Sequence, residues 1–230
     1  MTMIPVTTLE GDTAFAAYCA EPAGTPRGAI VVIQEIFGVN QGIRQKCDRL
    51  AADGWLALAP DLFWRLKPGI QLDPDTPAQF QEALEWMGKF NQDAGIRDIE
   101  ATIRVAREKS GGKVGVVGYC LGGRLAYMTA ARTDVDASVG YYGVGLDGLL
   151  GEKHGIANPL LLHIPEEDHF VDKAAQAAIH AGLDDHPKVT LFDYPGEDHG
   201  FATEMGKRRS PESADLADAR TAAFFANNLG

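Results

Sequence analysis

Residues 113–127 read KVGVVGYCLGGRLAY. Lys113–Tyr119 is an apolar, β-branched run of strand type, and from Leu121 the pattern becomes helical. The corner between them carries Gly118, Cys120, Gly122 and Gly123, in the order G-x-C-x-G-G. Glycines there remove the Cβ atoms that would clash in a sharp strand-to-helix turn, so that the sulfur projects above the sheet. This is a nucleophile elbow with cysteine in place of serine. The helix N-terminus would stabilise a thiolate, and the N–H of Leu121 would face a developing oxyanion. Two other readings stand beside it. The cysteine is a buried apolar residue on a glycine-rich turn, or the stretch is a nucleotide-binding loop. The second is disfavoured because the spacing is not that of a dinucleotide fingerprint and no Lys-Ser/Thr pair follows.

Outward from the corner, short apolar runs alternate with helical patterns, the signature of βαβ units and a mostly parallel sheet. Residues 13–21 (TAFAAYCAE) alternate like an edge strand, and 28–36 (GAIVVIQEI) form a nearly continuous apolar strand buried on both faces. Further strands are expected at 55–61, 136–142, 159–165 and 188–194. Helices are expected at 41–54, 78–90, 95–109, from Leu121, at 174–183 and at 213–229. No repeat, low-complexity tract or linker divides the chain, so its 230 residues are read as one α/β domain. A net charge of -11 argues against nucleic acid and anionic membranes as partners and favours a small-molecule substrate. The opening MTMIPVTTLEGD lacks a basic segment followed by an apolar one, and no run of eighteen apolar residues occurs, so the expected location is cytoplasmic. Cys19, Cys47 and Cys120 are odd in number and widely spaced, which indicates neither a disulfide framework nor a metal pair.

An elbow nucleophile needs an acid and then an imidazole later in the chain. After the strand PLLLHI (159–164) comes PEEDHFV (165–171), which puts Asp168 in a loop; Glu166 and Glu167 compete for its role. After the strand ending at Tyr194 comes PGEDHGF (195–201), which supplies His199, with Asp198 read as a loop solvator. His154, His180 and His186 read as surface residues, His163 as a strand-end or satisfied core residue, and His169 as flanking. Glu35 closes an otherwise apolar strand, where burying an acid is costly unless it is paired. The N–H of Ile36 is the expected second oxyanion donor, since elbow hydrolases draw one from this earlier loop.

With these residues assembled, the sequence resembles the dienelactone hydrolase family of α/β-hydrolases. The likeness runs through QEIFGVN (34–40), APDLF (59–63), GKVGVVGYCLGGRLAY (112–127), VGYYGVGL (139–146), EEDHFV (166–171) and YPGEDHGF (194–201). It implies an α/β-hydrolase fold over residues 1–230, with Cys120 as nucleophile, His199 as base and later acid, and Asp168 orienting His199. It further implies that Glu35 contacts the resting thiol and helps form the thiolate, and that Leu121 and Ile36 supply the oxyanion hole. The implied substrate is an enol-lactone opened through an acyl-thioester, with no metal or organic cofactor. The expected state is a monomer, or alternatively a homodimer. One feature departs from the family pattern, which grips the substrate carboxylate with two arginines, one in the helical region before the elbow and one four residues after the histidine. Here residues 76–90 hold no arginine and the second place is Thr203; Arg65, Lys67, Arg208 and Arg209 are the substitutes to consider. The rival readings are a carboxylesterase for a less acidic ester, and a non-catalytic hydrolase-fold protein whose Cys120 senses redox state.

Overall fold

The computed structural model describes residues 2–230. The chain folds into two compact units, residues up to 114 with 204–207, and residues 115–203 with 208–230.

The first unit holds β1 (Thr2–Thr7), β2 (Ala14–Ala20), β3 (Ala29–Ile33), α1 (Gln41–Ala52), β4 (Leu56–Pro60), α2 (Pro77–Lys89) and α3 (Gln92–Ser110). Its strands lie in the order β1-β2-β4-β3; β2 runs antiparallel to both β1 and β4, and β3 runs parallel to β4. All five residues of β3 are wholly buried, as its unbroken apolar run requires. Each Val or Ile there contributes about 1.5–3 kcal/mol through burial. The segment expected at the edge, β2, lies one place inward. The outer place belongs to β1, whose Pro5 suits a strand with a free side. Asn40 caps α1 by accepting the Ile43 N–H at 3.2 Å, and Gly54 follows the helix at φ +93°.

The second unit is built from β5 (Val114–Tyr119), α4 (Leu121–Arg132), β6 (Ala137–Tyr141), β7 (Leu160–Pro165), α5 (Lys173–Leu183), β8 (Val189–Tyr194) and α6 (Pro211–Leu229). Its strands run parallel in the order β5-β6-β7-β8. Four parallel neighbours end on the same edge, so the residues following β5, β6, β7 and β8 gather there. A 3-10 helix over Asp147–Gly155, in a segment with no clear period, is not among the expected elements. Together the strands and helices form the helix-flanked, mostly parallel architecture that the alternation predicts. Among the described residues, no helix is long and apolar enough to cross a membrane.

Candidate active site

The corner after β5 is as tight as its glycines suggest. A Cβ on Gly118 would stand 1.9 Å from the Gly122 carbonyl oxygen, and one on Gly123 would stand 2.4 Å from that of Tyr141. No side chain fits at either place, and the close approach lets α4 begin directly above the strand end. Cys120 sits on this turn at φ +56°, a region L-residues seldom occupy, and its N–H donates to the Tyr141 carbonyl at 3.0 Å. The strained residue is thus held from the neighbouring strand. It begins α4, whose first N–H groups have no partner within the helix. Leu121 provides the first of them. Tyr142, the residue just past β6, also has positive φ, at +38°.

The loops after β7 and β8 bring Asp168 and His199 together. Nδ1 of His199 lies 2.9 Å and 3.1 Å from the two Asp168 carboxylate oxygens, with both side chains almost wholly buried. A carboxylate only accepts, so Nδ1 carries the proton. Nε2 is buried without a hydrogen bond of full geometry, yet Cys120 is near enough to act on its titration. Burial works against the imidazolium, but the negative charge of a Cys120 thiolate and the bond to Asp168 outweigh it, pushing His199 from 6.5 up to about 10. Tyr142 and Phe170 meet that ring edge to face, at centroid distances of 5.0 Å and 4.8 Å.

Of the competing acids, Glu167 is exposed and pairs with Lys173 at 3.1 Å, while Asp168 accepts the Phe170 N–H at 2.9 Å and faces His199. His163 is buried, bound through Nδ1 to the Tyr194 hydroxyl at 2.7 Å and through Nε2 to that of Thr221 at 2.9 Å. His154 is exposed; His180 sits between Asp184 and Asp193. Asp168, His169 and Asp198 present ligand atoms within 4.8 Å of one another, but hydrogen bonds among themselves and to His199 engage those atoms. Sequence reasoning missed Phe170 and Tyr142, whose ring contacts depend on loops approaching from distant parts of the chain.

Glu35 and Ile36 belong to the first unit, just past β3, where Glu35 is half-buried and Ile36 buried. The preceding Gln34 is fully buried; its side-chain oxygen accepts the Leu62 N–H at 3.1 Å and its amide donates to the Glu35 carbonyl at 3.3 Å, fixing the backbone here. Arg65 pairs with the buried Asp98 and stacks on Trp64 at 4.3 Å. Arg208 is exposed, its guanidinium 6.0 Å above the ring of Phe170.

Comparison with known proteins bears on this arrangement. A protein of Azospirillum brasilense is 48% identical over 226 residues, covering 95% of this chain and 96% of that one. The carboxymethylenebutenolidase of Pseudomonas putida is 40% identical over 225 residues, covering 97% of this chain and 95% of that enzyme. A solved structure from Klebsiella pneumoniae superposes with a TM-score of 0.84 at 25% identity, covering 98% of this chain and 97% of that one, and shares its α/β-hydrolase fold. The sequence pattern of the dienelactone hydrolase family matches residues 15–229. Since that match runs from the second strand through the last helix, the chain is a hydrolase belonging to the dienelactone hydrolase family.

Proposed function

We propose that this hydrolase opens an enol-lactone of the carboxymethylenebutenolide type through Cys120, His199 and Asp168. The observation that carries the reading is the imidazole of His199, hydrogen-bonded to the buried Asp168 on one side and drawn upward in pKa by Cys120 on the other. The Cys120 thiolate adds to the lactone carbonyl, and the N–H of Leu121 receives the developing oxyanion. Collapse breaks the ring C–O bond; the departing enolate takes its proton from the imidazolium, leaving an acyl-thioester. His199, now neutral, deprotonates a water that attacks the thioester, and the carboxylate product leaves as the thiolate re-forms. Glu35 and the Ile36 N–H, at the end of β3, take the roles the family resemblance implies, in proton handling and oxyanion binding. Glu35→Gln tests the first of these through the alkylation rate of resting Cys120.

Of the four basic residues considered for the substrate carboxylate, the position beside His199 favours Arg208. It stands over Phe170, whose ring meets His199. We take residues 1–230 as a single α/β-hydrolase domain, which the extent of the family match supports, acting in the cytoplasm as a monomer or alternatively a homodimer. The deciding experiment is a panel of lactones and short-chain esters with and without a carboxylate. Turnover of the enol-lactones, lost on alkylating Cys120, supports the proposal. Turnover confined to neutral esters would favour a carboxylesterase, and Arg208→Ala should then leave KM unchanged for every substrate.

A further inference from the structure

The loops bearing Asp168 and His199 are held together through one carboxylate oxygen. Oδ1 of Asp198 accepts the N–H of His199 at 2.6 Å, the N–H of His169 at 3.0 Å, and the ring Nδ1–H of His169 at 2.7 Å. The first donor is the backbone of the proposed base, and the second belongs to the residue following its acid partner. Backbone bonds continue the seam, from Glu167 N–H to the Glu197 carbonyl at 2.8 Å and from Glu166 N–H to the Tyr194 carbonyl at 3.1 Å. These bonds end before the residues that do the chemistry, and Asp198 extends the seam to them. The ring of His169 then lies 4.0 Å from that of Phe170, which itself meets His199 at 4.8 Å. Burial raises the Asp198 carboxyl while the bonds from His169 and His199 lower it, and the net direction is down, so it stays ionised as a triple acceptor.

We propose that Asp198, with His169 locked against it, is a positioning pair that sets the separation and angle between Asp168 and His199. This goes beyond the assignment of the three reacting residues and rests on it. Neither residue touches substrate; both act through the imidazole. An error of about 1 Å at a reacting group costs on the order of a hundredfold in rate. An exposed ion pair, by contrast, contributes little to stability. The pair should therefore show in kcat more than in folding.

The test compares wild type with Asp198→Ala, Asp198→Asn and His169→Ala, using steady-state kinetics on an enol-lactone and the low-field proton NMR signal of the His199 Nδ1–H in the free enzyme. Asp198→Ala should lose about 10- to 100-fold in kcat with KM within about threefold, and its Nδ1–H signal should broaden or shift. Asparagine keeps an acceptor oxygen for both backbone N–H groups, so Asp198→Asn should retain kcat within about fivefold and keep the signal. His169→Ala should fall between them. Unchanged kcat and signal in Asp198→Ala would overturn the proposal, and so would an Asp198→Asn as impaired as alanine. Should the alanine variant fail to fold, the asparagine and His169 variants decide. Should the wild type turn over no lactone or ester, the function proposed above fails, while the Nδ1–H signal still decides the positioning role.

Discussion

Two buried histidines, at the ends of adjacent strands in the second unit, show how partners rather than burial determine what an imidazole does. His163, on β7, is 1% exposed, and His199, after β8, is 4% exposed. Both nitrogens of His163 meet hydroxyls, of Tyr194 and Thr221, each able to donate or accept. That ring is satisfied while neutral, and its role is to hold β7, β8 and α6 together. His199 meets a carboxylate on one nitrogen and faces a thiol with the other, so its surroundings favour the charged ring and leave Nε2 available for proton transfer. Hydroxyl partners suit a strut; a carboxylate and a thiol suit the proposed base.

The contrast breaks most sharply at the thiol. Cys120→Ala should abolish lactone and ester hydrolysis, leaving nothing above background in a coupled assay, since no acyl-thioester can form. The same variant should lower the pKa of His199 from about 10 towards 6.5, because the largest upward contribution disappears while the Asp168 bond remains. Titrating the ring protons by NMR reads this directly. The sign for stability follows from the raised folded value. The wild-type pair contributes fully below about 6.5 and is lost as pH rises through about 10. In Cys120→Ala the contribution should be smaller and its loss complete at lower pH, and denaturation midpoints measured across this range would check it. A His199 titration indifferent to Cys120 would remove the basis of the contrast.

Next in size are the proposed base and its proposed orienting acid. His199→Ala should cost about a thousandfold or more in kcat. Asp168→Asn should cost about a hundredfold or more, because an amide can present its N–H to Nδ1 and stabilise the wrong tautomer. Both variants should fold, so circular dichroism beside the kinetics separates lost chemistry from lost structure.

Cys120 is legible in the sequence because the elbow is local. Its turn is made by contiguous residues, and the glycines that remove clashes lie within a few positions of the sulfur. The alternation of apolar strands and amphipathic helices locates most elements for the same reason. Thr2–Thr7 does not read as a strand because only Ile4 and Val6 turn even partly inward and Pro5 interrupts the run, so the sequence points to β2 for the edge it does not occupy. His163 is ambiguous in sequence, since its partners Tyr194 and Thr221 lie 31 and 58 residues away. Asp198 reads as a solvated loop residue, and it is indeed exposed; what the sequence does not reveal is that one of its oxygens accepts from a loop 29 residues distant. Chemistry carried by one short segment is visible in a sequence, and chemistry assembled from several loops is visible only once they meet.

The smallest expected effect on turnover tests the other half of the comparison. His163→Leu keeps the side chain's bulk in its setting between Tyr141, at a ring distance of 4.2 Å, and Phe192. It removes both hydrogen bonds and leaves the Tyr194 hydroxyl to its remaining link with Arg220, while Thr221 keeps its 2.7 Å bond with Tyr141. Loss of buried hydrogen bonds of this kind costs about 1–3 kcal/mol. Chemical denaturation should therefore show a lower midpoint with an unchanged slope, while kcat at moderate temperature stays within about threefold of wild type. If instead kcat fell as far as in His199→Ala while stability held, His163 would be part of the chemistry and the division between strut and base would fail. A variant that loses stability and keeps its turnover would show that two equally buried imidazoles, one strand apart, serve separate ends because one has hydroxyls for partners and the other a carboxylate and a thiol.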